Sequence, residues 1–180
     1  MKNFRTILIL LLFCALNGYS QTHALADEYW SKAKKAEVLE DWENTAILFE
    51  KSAEAEKKSP NPRLEDLVFA LQNAAFYYNK NKNYDKALSL YLEALENTKK
   101  PLGKNHSYYG INLNNLANFY KAMGQYNKAL PLYLEALEYV EKTLGKDNSN
   151  YGISLNNLAD LYRIMGQYDK ALPLFLESLE

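Results

Sequence analysis

Pairs of side-chain amides recur in this sequence at intervals of 42 residues. The pairs are Gln72 with Asn73, Asn114 with Asn115, and Asn156 with Asn157. Asparagine is a poor residue for a helix interior, because its amide competes for nearby backbone hydrogen bonds. Each amide offers both donors and acceptors, so a row of amides can hold a polar ligand. The recurrence therefore predicts a role beyond helix formation.

Further polar side chains follow these pairs at helical spacing. Asn118 and Asp160 come about one turn later, and Lys121 and Arg163 come next. A lysine or arginine there could attract a carboxylate or an acidic side chain. Two alternatives stay open at this point. The amides could bond only between neighbouring repeats, and Lys121 and Arg163 could be ordinary surface charges.

No group of residues has the spacing of a catalytic or metal site. The histidines are His23 and His106, and no His-x-x-x-His pair, glycine-rich phosphate loop or Gly-x-Ser-x-Gly elbow occurs. His106 is predicted to be a solvent-facing loop residue. Several glutamates recur at helical spacing and are expected to face outward: Glu135, Glu138, Glu177 and Glu180. The sequence therefore predicts no enzyme, cofactor or metal, and no small-molecule substrate.

A repeat of 42 residues organises the elements that carry these amides. Residues 113–138 and 155–180 agree at 19 of 26 positions, and weaker copies precede them. Within one copy, Leu113, Leu116, Ala117 and Tyr120 form one apolar helical stripe. A second stripe follows after Gly124, which is placed to end the first helix in a left-handed conformation. Each repeat is therefore predicted to be a helical hairpin.

Two prolines fall a few residues into the second helix of their repeats. Pro131 and Pro173 would cost little if Asn127 and Asp169 capped those helices, because each proline would then lie near the first turn. Without such caps, a kink is expected at each proline. The sequence leaves both possibilities open.

The pattern resembles the tetratricopeptide repeat, or TPR. Its large, small, aromatic and glycine positions are filled in the third repeat by Leu113, Leu116, Ala117, Tyr120, Gly124, Tyr126, Ala129, Tyr133 and Ala136. The 42-residue length of the repeat resembles that of the kinesin-light-chain-type subfamily. The resemblance covers roughly residues 24–180, in repeats at about 24–59, 63–100, 106–143 and 148–180, the last one expected to be truncated. In the first repeat, Glu40 and Thr45 replace the glycine and alanine.

The resemblance implies an all-α, right-handed superhelical solenoid of TPR-type hairpins whose first helices line a concave groove. In that family, asparagine amides at these positions hold the backbone of a bound peptide. This implies a protein-interaction scaffold, with a groove formed by Gln72, Asn73, Asn114, Asn115, Asn118, Lys121, Asn156, Asn157, Asp160 and Arg163. An alternative is the sensing or regulatory portion of a longer exported or membrane-associated signalling protein, or of a CHAT-type peptidase.

The first twenty residues have the pattern of a secretory signal peptide. Lys2 and Arg5 precede an unbroken apolar run over residues 7–16, and small or polar residues follow up to Ser20. We expect cleavage near Ser20 and export to the periplasm or the exterior, with membrane association only if this segment is retained. Cys14, the one cysteine, lies inside the apolar run, so the mature chain would have no thiol.

Charge balance predicts no nucleic-acid partner, whereas a protein or peptide partner is what the resemblance implies. The chain has 21 basic and 22 acidic residues, so no basic excess exists to attract phosphates. The last apolar stripe, Leu172, Leu176 and Leu179, has no capping helix after it. Because a solenoid needs a polar terminal repeat, we expect the 180 residues to continue into a longer chain or to self-associate.

Overall fold

The computed structural model describes residues 2–99 and 108–179, and within these ranges the regular structure is entirely helical, with π-helical residues at Thr98 and Lys99. This confirms the predicted all-α class. The helices are α1 (Lys2–Val38), α2 (Trp42–Lys57), α3 (Leu64–Lys80), α4 (Tyr84–Asn97), α5 (Tyr108–Ala122), α6 (Tyr126–Leu144), α7 (Ser149–Ile164) and α8 (Tyr168–Glu177).

The second helix of each hairpin begins every 42 residues, at Trp42, Tyr84, Tyr126 and Tyr168. Two residues before each start, the backbone is left-handed, with φ of 57° at Glu40, 62° at Lys82, 70° at Gly124 and 74° at Gly166. At each turn the residue after this one donates a backbone hydrogen bond five residues back, as from Gln125 to Tyr120. This is the Schellman ending of a helix, and it explains the predicted role of Gly124.

The first repeat makes the same turn without glycine. Glu40 adopts the left-handed conformation, although such backbone is unfavourable for a residue with a Cβ. Thr45, in place of the alanine, is fully buried and its hydroxyl donates to the Asp41 carbonyl at 2.7 Å. The hairpin that departs most from the repeat pattern therefore keeps the same turn geometry.

The prolines lie inside their helices rather than at a capped first turn. The N-caps of α6 and α8 are Gln125 and Gln167, so neither Asn127 nor Asp169 caps a helix. Both helices continue through Pro131 and Pro173. Because proline has no backbone N–H, each position gives up one helical hydrogen bond.

The chain divides into two compact units, Met1–Leu90 and Tyr91–Glu180. In the first unit, α1 packs on α2 and α2 packs on α3. Trp30 makes ring contacts with Phe49 and Phe69, and Phe49 stacks on Tyr77. Aromatic rings therefore fill the space between successive helices of this unit.

In the second unit, α5 packs on α6, α6 on α7 and α7 on α8. One core cluster surrounds Leu113, Tyr139 and Leu155, and a second surrounds Ala129, Tyr133 and Leu158. The predicted stripe residues Leu113, Leu116 and Ala117 are all buried. On α8, Tyr168, Leu172 and Leu176 are exposed, as is Leu179 just beyond the helix, whereas Ala171 is buried.

Membrane-spanning helices are not found in the described part of the chain, because none of its helices is both long enough and apolar enough.

Two glycines one repeat apart are expected to respond oppositely to alanine. A Cβ at Gly110 would lie 2.7 Å from Cδ1 of Tyr139, whereas one at Gly152 would meet only the Ser178 carbonyl, at 3.5 Å. Gly110→Ala should therefore destabilise the chain by about 1–3 kcal/mol through overpacking. Gly152→Ala should stabilise it by about 0.5–1 kcal/mol, because alanine favours the helix. Urea unfolding of both variants measures the difference, and equal shifts would contradict the close packing of α5 on α6.

Candidate functional site

Five carboxamide side chains converge on one groove in the second unit. The groove has a volume of about 290 Å³, and α5, the end of α6 and α7 form its walls. Its carboxamides are Asn114, Asn115, Asn118, Asn150 and Asn157. Four of these were predicted from the repeat. Asn150 was not, because Tyr108 takes its place one repeat earlier.

The rest of the groove wall is apolar. Ile111, Val140, Leu144 and Ile153 line it together with Gly110. Ile153 is the most open of these side chains, with 53% of its surface exposed. The groove therefore combines hydrogen-bonding amides with aliphatic contact surface, as small-ligand and peptide sites commonly do.

The amides differ in how far their hydrogen-bonding capacity is used. Asn114 donates through Nδ2 to the Ser154 hydroxyl at 3.2 Å, which links α5 to α7. Asn118 accepts through Oδ1 from the Tyr133 hydroxyl at 2.5 Å. The first contact agrees with the alternative that the amides bond between neighbouring repeats, whereas the second joins the two helices of one repeat.

Other amide groups in the groove have no partner. Oδ1 of Asn114 is buried and accepts no hydrogen bond from the described residues. A buried acceptor left in this state costs about 1–3 kcal/mol. Within the same residues, the half-buried side chains of Asn115 and Asn157 make no hydrogen bond. The groove therefore has both donors and acceptors available to a ligand.

The predicted charged residues are bonded to one another. Lys121 Nζ lies 2.9 Å from Oδ2 of Asp160, and Arg163 Nη2 lies 2.6 Å from Oδ1 of the same residue. The hydrogen bond from Lys121 holds the pKa of Asp160 below its usual range, with Arg163 acting in the same direction against the effect of burial. None of the three lines the groove as described.

The remaining predicted residues lie elsewhere. Asn156 accepts at 3.1 Å from the Ser178 hydroxyl and lines a different recess, with Lys146, Tyr151 and Glu177. Gln72 and Asn73 belong to the first unit. Gln72 is buried, and Asn73 donates to the Phe69 carbonyl of its own helix at 2.7 Å.

The glutamates at helical spacing also make contacts that their spacing does not indicate. Glu135 and Glu138 are exposed, as predicted. Glu135 accepts from the Tyr109 hydroxyl at 2.5 Å, and Glu177 accepts from the Tyr151 hydroxyl at 2.7 Å, one repeat further on. Glu180 and His106 lie outside the described residues.

Sequence reasoning missed a buried polar cluster in the first unit. His23 Nδ1 lies 3.0 Å from Oε1 of Glu56, and the Ser59 hydroxyl lies 3.4 Å from His23 Nε2. Arg63 donates to both carboxylate oxygens of Glu56 through its side chain and its backbone N–H. The residues are separated by 7 to 36 positions and belong to no repeat motif, so no sequence signal joins them.

The order serine, histidine, glutamate is that of a hydrolase triad. A nucleophile must reach its substrate, however, and Ser59 is only 6% exposed, while Glu56 is 1% exposed and bonded to Arg63. The cluster is therefore structural: it joins α1, through His23, to the end of α2, through Glu56. The groove in the second unit remains the better candidate site.

Comparison with known proteins identifies the family of the chain. Models of the tetratricopeptide repeat match residues 70–108 and 108–180. A search of the curated proteins finds no match. Paired helices with Schellman turns at a fixed period, and a polar groove on their first helices, define a helical-repeat scaffold. The chain belongs to the tetratricopeptide repeat family.

Solved structures agree on the fold. The chain is similar to BtubC (BKLC) from P. vanneervenii, with a TM-score of 0.77 and 22% identity over 88% of this chain. It spans 62% of the length of that protein. It is also similar to kinesin light chain TPR-like repeats from Podosopora anserina, with a TM-score of 0.73 and 20% identity. That match covers 87% of this chain and 74% of the other. The predicted solenoid class of helical hairpins is thereby confirmed.

Proposed function

We propose that this protein is a non-enzymatic scaffold that binds an extended peptide segment in the amide-lined groove of its second unit. Tetratricopeptide repeats generally mediate protein–protein interactions, which supports a protein or peptide partner. The observation that carries the proposal is the unused hydrogen-bonding capacity of the groove. The half-buried amides of Asn115 and Asn157 line the groove and have no partner among the described residues.

An extended peptide is the ligand that matches this capacity. Its backbone presents one donor and one acceptor for each residue, and amide side chains can pair with both. Asn115 and Asn157 lie on α5 and α7, so they could hold the segment from both walls.

The role of the amides is tested by separating affinity from stability. Asn115→Ala and Asn157→Ala should each weaken the binding of a selected peptide by about 1 kcal/mol, or roughly fivefold, for one lost hydrogen bond. Their melting temperatures should stay close to that of the wild type, because neither amide bonds to any of the described residues. Asn114→Ala, by contrast, should lower stability as well, since it breaks the bond to Ser154.

The peptide is obtained by selection from a displayed library of random segments on the immobilised protein. Asn127→Ala is the matched control, because Asn127 is an exposed amide on α6 outside the groove. It should bind the selected peptides as the wild type does. If Asn115→Ala and Asn157→Ala lost stability and kept their affinity, the amides would be structural and the proposal would be wrong.

A further inference from the structure

The chemistry of the groove wall defines the kind of segment that fits it. Among the described residues that line the groove, none carries an ionisable side chain: the wall consists of amides, aliphatic groups and one glycine. From this we infer that the groove selects an uncharged extended segment with aliphatic side chains. The inference rests on the proposed function and adds the chemical class of its ligand.

A charged ligand side chain would meet no counter-ion among the described residues that line this groove. Moving a carboxylate or an ammonium group out of water is unfavourable unless an opposite charge and hydrogen bonds compensate for it. Lys121 and Arg163, the predicted attractants of acidic groups, are both bonded to Asp160. An acidic ligand would have to break the 2.9 Å contact between Lys121 and Asp160 to use the lysine.

Aliphatic ligand side chains, by contrast, have a surface to cover. Ile111 and Ile153 lie on α5 and α7, and Val140 and Leu144 lie near the end of α6. Side chains of an extended segment alternate between its two faces, so every second residue can point into the groove. The volume of about 290 Å³ is at the low end of the range for ligand pockets, so the segment is short.

The amide and aliphatic side chains of the groove wall contribute differently to recognition. Backbone pairing with Asn115 and Asn157 gives affinity for any extended chain, while the aliphatic wall rejects residues that must stay hydrated. Burial of apolar surface is little affected by ionic strength, whereas attraction between exposed charges is screened by salt. Binding should therefore be nearly independent of salt, unlike recognition of an acidic segment.

The inference is tested on the full chain with a displayed library of random nine-residue segments. The enriched segments should be uncharged, with valine, leucine or isoleucine at alternate positions. Affinities of capped synthetic copies should change less than about twofold between about 0.05 M and 0.5 M NaCl. Enrichment of acidic or basic segments, or a steep salt dependence, would overturn the inference and leave the proposed peptide-binding function standing.

A charge placed in the groove provides the second measurement. Ile153→Lys should weaken the neutral peptides at least tenfold and should improve binding of matched peptides carrying aspartate. Ile164→Lys is its control, because Ile164 is also an exposed isoleucine on α7 but does not line the groove. Equal losses in both variants would overturn the inference. If no segments were enriched, or if Asn115→Ala and Asn157→Ala bound the enriched ones as tightly as the wild type, the proposed function itself would fail.

Discussion

Glu56→Ala is expected to lower the free energy of unfolding by about 3 kcal/mol, because it removes a carboxylate from a buried ion pair. Glu56 is 1% exposed and accepts hydrogen bonds from His23 and Arg63. Without it, the Arg63 backbone N–H loses its acceptor and the guanidinium loses its most buried partner. We expect a loss at the low end of the range for buried ion pairs, because Arg63 still pairs with Asp27, whose Oδ1 lies 2.7 Å from Nη2. Urea unfolding of the variant measures it.

The same carboxylate gives the effect a defined pH dependence. Burial raises the pKa of Glu56, but the hydrogen bonds from Arg63 and His23 outweigh burial and hold it below the ordinary value of 4.5. A lowered pKa means that the carboxylate stabilises the fold above pH 4.5, and that this contribution is lost as the pH falls toward the folded-state value. The difference between wild type and Glu56→Ala should therefore shrink in acid.

Glu138→Ala is the matched control for this measurement. Glu138 also pairs with a cation, Lys142, but both side chains are more than 60% exposed. An exposed pair of this kind contributes little to stability, because solvent screens the attraction between the charges. Similar losses in the two variants would show that burial of the Glu56 ion pair does not increase its contribution to the free energy of unfolding.

The 42-residue period predicts most of the fold from the sequence. Helix starts at Trp42, Tyr84, Tyr126 and Tyr168 follow it, because the left-handed turn recurs two residues before each start. Local residue preference alone would have failed at Glu40, where the left-handed turn occurs without glycine. Packing of the two flanking helices fixes that turn, so tertiary contacts outweigh the preference of one residue.

The candidate site was less predictable than the fold. Repetition identifies Asn114 and Asn156 as equivalent residues, yet Asn114 bonds to Ser154 in the groove whereas Asn156 accepts from Ser178 beside another recess. Their surroundings differ because each contact depends on the next helix in space. The His23–Glu56 contact was wholly unpredictable, since it joins residues 33 positions apart and no repeat carries it.

Tyr133→Ala is expected to cost about 3–5 kcal/mol, the largest effect in the second unit, because it empties a fully buried aromatic position. The Tyr133 ring is 0% exposed and lies in a cluster with Ala129, Leu158 and Leu161. Its hydroxyl also donates to Asn118 at 2.5 Å, so Tyr133→Phe should cost about 1 kcal/mol for that bond alone. Urea unfolding separates the ring from the hydroxyl.

Phe175→Ala is the control, because Phe175 occupies the same position one repeat later. It is only half-buried, in a helix whose apolar stripe is largely exposed. Its truncation should therefore cost less than half as much as Tyr133→Ala, although the two residues are equivalent in sequence. Equal losses would mean that repeat position, and not burial, determines the contribution of this aromatic residue. A small loss for Tyr133→Ala would contradict the packing of α6 against α7.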